Sequence, residues 1–220
     1  MPVRRFPDPR SATQDGLVAV GGDLHPDTLR QAYRQGIFPW PAPGLPLLWF
    51  SPPERGMLDF ADLHLPRSLV RAVRGHPFRL TIDGDFAGVI RGCAGTPRPG
   101  QDGTWITDDI VEAYERLHEL GMAHSVETWR DSRLVGGIYG VEVDGAFAAE
   151  SMFYREPNAS KVALLHLIEH LRARGLDWLD IQVLTPHMAR LGARAVPRDR
   201  FLARLAATRA RGLGLFAAAS

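Results

Sequence analysis

The chain has 220 residues, of which 45% are hydrophobic and 23% are charged, and its formal net charge is +1. This composition excludes a disordered or collagen-like chain. No stretch reaches the ~20 uninterrupted apolar residues of a membrane span, and residues 1–16 lack the apolar core of a secretory signal. We therefore expect a cytoplasmic protein without a membrane partner. Cys93 is the sole cysteine, which excludes an intrachain disulfide and a cysteine-based zinc site.

The basic residues are unevenly distributed along the chain. Of the 26 basic residues, 25 are arginine and one is Lys161, and the segment 190–211 holds seven arginines against one acid, Asp199. A local basic patch attracts phosphates even where the whole protein is near neutral. The same pattern is typical of a helix that exposes its arginines to solvent. A surface that faces nucleic acid and a solvated helix face are therefore both open interpretations.

The first part of the chain is rich in proline and aromatic residues. Leu24 to Gln35 predicts a short helix, with Pro26 in its first turn and Gly36 where it stops. The segment 36–53 that follows has too many prolines for a central strand or a helix. We therefore expect residues 1–60 to form a small, loop-rich N-terminal domain.

Regular periodicities from about Pro66 onward predict a larger domain over residues 61–220. Asn158 and Gly175 are placed to begin and end a helix, and Asp144-Gly145 between two alternating runs predicts a hairpin. In chain order the patterns predict a helix at 66–74, a strand at 78–82, helices at 85–92 and 108–120, strands at 123–130, 133–143 and 146–153, a helix at 159–174, a strand at 178–184, and helices near 186–191 and 197–208. This order predicts an α/β (α+β) fold with a mixed sheet.

Three polar residues interrupt apolar strands. Because side chains alternate between the two faces of a strand, Asp180 and Gln182 are expected on one face of the strand 178–184. Two polar side chains there are costly unless they are paired or used, and an acid with an amide can position and deprotonate a nucleophile. Glu150 lies in a similar setting among alanine, methionine and phenylalanine. The alternatives are a buried hydrogen bond for the pair and an exposed edge position for Glu150.

One short motif indicates a different chemistry. His166, Glu169 and His170 match H-x-x-E-H, the inverted zinc-peptidase signature, within a predicted helix. A hydrolytic zinc site also needs a third protein ligand, and the acids that follow Glu169 are only Asp177, Asp180 and Asp199. A zinc peptidase stays an alternative, and we expect no metal.

Eight sequence blocks occur in an order that is typical of one bacterial family. They are Tyr33–Trp40, Leu48–Pro52, Gly103–Thr107, Ala123–Glu127, Leu134–Gly140, Glu150–Phe153, Asn158–Lys161 and Asp180–Leu184. Together they resemble leucyl/phenylalanyl-tRNA–protein transferase over nearly the whole chain. The resemblance implies an enzyme that moves Leu or Phe from aminoacyl-tRNA to the N-terminal Arg or Lys of an acceptor protein, which marks that protein for degradation. It also implies a small N-terminal domain on a GNAT-like catalytic domain, and no cofactor.

The resemblance further implies roles for individual residues. Asp180 and Gln182 correspond to the family's catalytic pair, Trp40 and Trp105 to its substrate-site tryptophans, and Glu150 to its site glutamate. The family's apolar pocket for the transferred amino acid falls on Ile138, Phe147, Met152 and Leu167. Leu167 and Ile138 replace an aromatic residue and a methionine of some members, which bears on the preference between Leu and Phe.

The body of a tRNA needs phosphate contacts, for which the sequence offers Lys161, Arg198 and Arg200. Lys161 lies in the first turn of the predicted helix 159–174, where free N–H groups and the helix dipole favour anions. An acetyltransferase would bind the pyrophosphate of CoA at the same place through a glycine-rich turn. Residues 155–160 contain no glycine. A CoA-dependent acetyltransferase of the GNAT type is therefore the second alternative.

Overall fold

The computed structural model of the chain describes residues 5–42, 44–74, 78–96 and 104–216. Within these ranges the α-helices are α1 (Pro26–Arg34), α2 (Arg67–Arg74), α3 (Phe86–Ala94), α4 (Asp108–Glu119), α5 (Ala159–Ala173), α6 (Pro186–Arg190) and α7 (Arg198–Arg209). The strands are β1 (Leu17–Val20), β2 (Phe38–Pro39), β3 (Leu48–Phe50), β4 (Glu54–Asp59), β5 (Arg79–Ile82), β6 (Ala123–Arg130), β7 (Arg133–Val143), β8 (Ala146–Tyr154), β9 (Trp178–Gln182) and β10 (Arg194–Pro197). No described helix is both long and apolar enough to cross a bilayer.

A small antiparallel sheet forms next to helix α1. Its strands lie in the order β1–β3–β2. The prediction that segment 36–53 holds no central strand is therefore wrong, because the three residues of β3 fall between its prolines and pair on both sides. The predicted helix at 24–35 is confirmed as α1, which begins at Pro26 because the ring of His25 accepts a hydrogen bond from the Asp27 N–H at 3.2 Å. The chain leaves α1 at Gly36, whose φ of +70° suits glycine.

The larger sheet has seven strands in the order β10–β4–β9–β8–β7–β6–β5. Strands β8 and β9 are parallel, whereas the other neighbouring strands are antiparallel. The predicted mixed sheet is therefore confirmed. Strand β4 lies between β10 and β9, although its residues fall inside the segment 1–60 that we expected to form the N-terminal domain. The domain division at residue 60 stays a prediction, and the strands of the small sheet end before β4, at Phe50.

Two hydrophobic cores cover the opposite faces of the larger sheet. On β7, Ile138 belongs to the core under α5, whereas its neighbour Tyr139 belongs to the core under α3 and α4. This is the alternation that a strand buried on both faces requires. Gly136 lets α5 approach closely, because a Cβ added there would lie 2.6 Å from the Cβ of Ala159.

The structure differs from two local predictions. Strand β9 ends at Gln182 rather than at residue 184, because Gln182 has a φ of +55° and the Val183 N–H turns back to the Ile181 carbonyl at 2.6 Å. Asn158 precedes α5 but does not cap it with its side chain: it has a φ of +68°. Its side-chain oxygen instead accepts a hydrogen bond from Lys161 Nζ at 3.2 Å.

Candidate active site

The candidate site lies where the parallel strands β8 and β9 separate. The two strands pair at Ala148 and Asp180. Two residues further along each strand, a side-chain contact replaces backbone pairing: Gln182 Nε2 donates to Glu150 Oε1 at 2.5 Å. The turn that Gln182 makes with its positive φ therefore coincides with the point at which its side chain reaches across to β8.

Glu150 is also held from the opposite side by a tyrosine. Tyr33 on α1 donates its hydroxyl to Glu150 Oε1 at 2.8 Å, and its own oxygen lies 2.5 Å from the hydroxyl of Tyr114 on α4. Burial, followed by the charge of Glu150, raises the pKa of both phenols well above the ordinary value. Both tyrosines are therefore neutral hydrogen-bonding groups that fix the Glu150 carboxylate. Sequence analysis did not assign either tyrosine to the site.

Asp180 has a different partner. Arg55 on β4 donates Nε to Asp180 Oδ1 at 2.8 Å and Nη2 to Asp180 Oδ2 at 2.7 Å. Asp180 Oδ1 also accepts the backbone N–H of Gln182 at 2.9 Å. Asp180 thus contacts the main chain of Gln182 and leaves its side-chain amide to Glu150. Arg55 was missed by sequence analysis, because an arginine after two prolines carries no signal of burial.

An apolar cavity of about 300 Å³ opens beside Glu150. Alternation along β9 directs Leu179 and Ile181 toward it, and Val183, just after the strand, also forms part of its wall. Asp180, on the opposite face of β9, does not line this cavity. The remaining apolar lining residues include Ile138, Met152 and Leu164.

The four residues expected in the amino-acid pocket therefore separate into two pairs. Ile138 and Met152 line the cavity. Phe147 and Leu167 belong, like Ile138, to the core under α5 and are 1% and 2% exposed, but they do not line the cavity. Leu164, one helical turn before Leu167 on α5, occupies the wall. A helix turn of 3.6 residues explains why a sequence argument could not choose between them.

Burial governs the electrostatics of Glu150. Removal from water raises its pKa to about 8, and the charge of Asp180 acts in the same direction. The hydrogen bonds from Tyr33 and Gln182 and the charge of Arg55 lower it in part. His187 also lines the cavity, and burial lowers its pKa, with the charges of Lys161 and Arg190 adding to the effect.

The two site tryptophans stack on each other. The ring centroids of Trp40 and Trp105 are 5.7 Å apart and their planes differ by 23°. Trp105 is buried and Trp40 is half-buried. The pair offers one partly exposed indole face, which is the kind of surface on which a nucleobase stacks.

The arginine-rich segment 190–211 is largely paired within the protein. Four of its seven arginines contact carboxylates: Arg194 with Asp62, Arg204 with Asp59, Arg209 with Asp144, and Arg211 with Asp177. Arg198 is half-buried and donates Nε to the Pro52 carbonyl at 3.2 Å. Arg200 is exposed and makes no ion pair with any residue that the structure describes.

The described residues of the H-x-x-E-H motif do not form a metal centre. No group of three potential ligand residues occurs among the described residues. His170 Nε2 lies 2.8 Å from the Leu215 carbonyl, and its ring lies 4.8 Å from that of Phe216. The histidine thus packs against the last described residues of the chain.

The assembled parts can perform acyl transfer to an amine. A half-buried carboxylate and an amide meet at the wall of a cavity that suits an apolar acyl group, whereas the stacked Trp40 and Trp105 pack in the core on the other face of the sheet. Comparison with known proteins is in agreement. The family model for leucyl/phenylalanyl-tRNA protein transferase matches residues 57–206, and the model for its N-terminal domain matches residues 22–53. The chain belongs to the leucyl/phenylalanyl-tRNA protein transferase family, as its sequence blocks predicted.

Similar proteins come from several bacteria. Leucyl/phenylalanyl-tRNA–protein transferase of Anaeromyxobacter dehalogenans (strain 2CP-C) is 55% identical, over 91% of this chain and 86% of that protein. The protein of the same name from Nitratidesulfovibrio vulgaris (strain DP4) is 52% identical, over 90% of this chain and 85% of that protein. The one from Dechloromonas aromatica (strain RCB) is 48% identical, over 96% of this chain and 91% of that protein. Among solved structures, a GCN5-related N-acetyltransferase-like protein from Streptococcus suis 89/1591 is similar with a TM-score of 0.40 and 15% identity, over 77% of this chain and 63% of that chain.

Proposed function

We propose that this protein transfers Leu or Phe from aminoacyl-tRNA to the N-terminal Arg or Lys of acceptor proteins in the cytoplasm, and so marks them for degradation. The observation that supports this most strongly is the contact between Glu150 and Gln182 at the wall of the apolar cavity. It places polar groups for an amine directly beside a space for an apolar acyl side chain. Family membership supplies the substrates that this arrangement fits.

The chemistry requires orientation rather than a covalent intermediate. The aminoacyl ester of tRNA already stores the energy for amide formation, so the enzyme must bring the amine to the carbonyl and manage one proton. In our proposal the cavity holds the Leu or Phe side chain between Ile138 and Met152. Gln182, whose side-chain oxygen accepts no hydrogen bond from the residues that the structure describes, orients the attacking amine. Asp180, fixed by Arg55, holds the backbone of Gln182 in its turn.

The tRNA occupies the surroundings of the cavity. We place the terminal adenine on the exposed face of Trp40, which Trp105 supports from behind. Phosphates along the acceptor end would then meet Lys161, Arg198 and the exposed Arg200. Because four other arginines of segment 190–211 are already paired, this contact surface is smaller than the sequence suggested.

A direct assay tests the proposal. Purified protein is mixed with Phe-tRNA or Leu-tRNA carrying a labelled amino acid and a peptide that begins with Arg. We expect the label to move to the peptide. The matched control is the same peptide with an acetylated N-terminus, which has no attacking amine and should receive no label. Absence of transfer to the free peptide would refute the proposed function, and transfer to an Asp-initiated peptide at the same rate would refute the acceptor specificity.

The two alternatives lack a supporting observation. In the turn before α5, Arg155 donates to the Leu134 carbonyl and Glu156 pairs with Arg130 and Arg133. Side chains therefore fill the place where an acetyltransferase would present bare backbone to CoA. For the zinc peptidase, the described part of the chain offers no three-residue ligand group around His166, Glu169 and His170.

A further inference from the structure

We propose that Glu150, and not Asp180, takes the proton from the attacking amine. This inference rests on the proposed function, because it assigns a step within aminoacyl transfer. Glu150, Asp180 and Gln182, the three polar residues that the sequence placed on apolar strands, have different roles in this step. Glu150 becomes a catalytic residue, whereas Asp180 and Arg55 become positioning residues.

The geometry removes Asp180 from the reacting atoms. Both carboxylate oxygens of Asp180 accept a hydrogen bond from Arg55, and one of them also accepts the Gln182 N–H. The residue is 4% exposed and lies on the face of β9 opposite to the apolar cavity. A substrate in the cavity cannot reach this carboxylate without breaking a buried ion pair, which is strongly unfavourable.

Glu150 has the opposite arrangement. Both of its hydrogen bonds, from Tyr33 and Gln182, go to Oε1. Its second oxygen, Oε2, accepts no hydrogen bond from the described residues, and the side chain lines the cavity. The carboxylate is therefore held rigidly by one oxygen while the other remains available to a ligand. This is the arrangement that general-base catalysis requires: a fixed acceptor within reach of the proton.

The groups around Glu150 tune it for this proton. They come from five elements: Tyr33 on α1, Arg55 on β4, Tyr114 on α4, Asp180 on β9 and His187 on α6, which lines the same cavity. Burial outweighs the hydrogen bonds and the arginine, so the pKa of Glu150 rises to about 8. An α-ammonium group has an ordinary pKa of about 7.7–8.0. Because the two values match, the proton moves between amine and carboxylate at little free-energy cost.

Each proton of the acceptor amine has a defined destination in this step. The acceptor enters as an ammonium group with three protons, and the Glu150 carboxylate takes one of them. The free amine attacks the ester carbonyl, and a C–N bond forms as the bond to the ribose oxygen of tRNA breaks. Of the two remaining protons, one moves to that leaving oxygen and one stays on the new amide nitrogen. Glu150 then releases its proton to water and is ready for the next cycle.

The test measures single-turnover transfer from Phe-tRNA to a saturating Arg-initiated peptide as a function of pH. Glu150→Gln keeps the size and the contact with Tyr33 but has no basic oxygen. We expect it to slow transfer by about 10²–10⁴-fold while its affinity for Phe-tRNA stays unchanged. A rate within about threefold of the native protein would overturn the inference.

Two further variants shift the pH profile in opposite directions. Tyr33→Phe removes a hydrogen bond that stabilises the Glu150 carboxylate. The limb of the profile in which the transfer rate rises with pH should therefore move to higher pH. Asp180→Asn removes a negative charge that raises the pKa of Glu150, so the limb should move to lower pH. Loss of the limb in Asp180→Asn, or an unmoved limb in Tyr33→Phe, would show that the pH dependence does not report the Glu150 carboxylate and would overturn the inference.

The outcomes separate this inference from the proposed function. If native protein transfers no label at all, the proposed function itself fails. If native protein transfers label but the Glu150 and Tyr33 variants keep its rate and pH profile, only the inference fails. Should Asp180→Asn not fold, Glu150→Gln and Tyr33→Phe still decide the question, because neither removes the ion pair of Arg55.

Discussion

Arg55 and Asp180 join strand β4 to strand β9 through two parallel hydrogen bonds of 2.8 and 2.7 Å between buried side chains. The same guanidinium donates to the Gly36 carbonyl at 3.1 Å, just beyond helix α1. It also lies 4.7 Å and 4.5 Å from the ring centroids of Phe38 and Phe201. One arginine therefore connects the N-terminal segment, the larger sheet and α7 directly behind the candidate site.

Loss of Arg55 should strongly destabilise the fold. Arg55→Met keeps much of the side-chain volume but leaves the Asp180 carboxylate buried without a counter-charge, which typically costs about 3–5 kcal/mol. Urea unfolding at neutral pH measures the change. Arg10→Met is the matched control, because Arg10 pairs with Asp199 at 2.8 Å where both side chains are exposed. Such a surface pair contributes about 0–1 kcal/mol, and an equal loss in both variants would contradict the role given to Arg55.

Substitutions of cavity residues should change the ratio of Leu to Phe transfer, whereas substitutions of core residues should not. Met152→Ala enlarges the cavity beside Glu150, so the ratio of Leu to Phe transfer should change by about tenfold, within the ~1–3 kcal/mol that a hydrophobic pocket discriminates. Leu167→Ala acts behind the wall and should lower stability by about 2–5 kcal/mol with little effect on the ratio. Competition between Leu-tRNA and Phe-tRNA gives the ratio for each variant. A larger change of ratio in the Leu167 variant would show that the pocket includes that residue.

Sequence patterns predicted the elements that alternate regularly. The strands β6, β7 and β8 and the helices α4, α5 and α7 lie within a few residues of their predicted ranges, because their hydrophobic periods persist over eight or more residues. The short strands β1, β2, β3, β4 and β10 were not predicted. Each has at most six residues, and β4 and β10 owe their structure to pairing partners far away in the sequence.

The site was predictable as a set of residue types but not as a geometry. Asp180, Gln182 and Glu150 stood out because polar residues are expensive on apolar strands. Their pairing depends on the positive φ of Gln182, which its residue type does not favour, and on the ion pair with Arg55, which is far away in the sequence. Strict alternation would have placed Asp180 and Gln182 on one face, yet the turn at Gln182 frees its side chain to reach Glu150.

The salt dependence of tRNA binding should depend on arginines that are not already paired. Arg200 is exposed and free of ion pairs with described residues, so Arg200→Ala should reduce the slope of log affinity against log salt by about 1. Arg204, from the same helix, contacts Asp59 at 2.8 Å and Asp177 at 3.6 Å, and Arg204→Ala should leave the slope nearly unchanged. Filter binding of Phe-tRNA at several salt concentrations measures both. Equal slopes in native protein and the Arg200 variant would show that this face of α7 is exposed to solvent and does not contact the tRNA.

The stability of the protein should fall as pH rises through the range in which Glu150 titrates. Its pKa is about 8 in the folded state and about 4.3 for an exposed glutamate. Between these values the folded state binds the proton and the unfolded state does not, so the free energy of unfolding decreases with rising pH. Glu150→Gln removes this proton and the buried charge that appears when it leaves. The variant should therefore melt close to the native protein at pH 5 and at a higher temperature than the native protein at pH 8.5.

Glu112→Gln, on the exposed side of α4, is the matched control and should alter the melting temperature little at either pH. A Glu150→Gln protein that melts below the native one at pH 8.5 would mean that the folded protein stabilises the Glu150 carboxylate as an anion. The pKa of Glu150 would then lie well below 8, and this residue would not match the base that we propose.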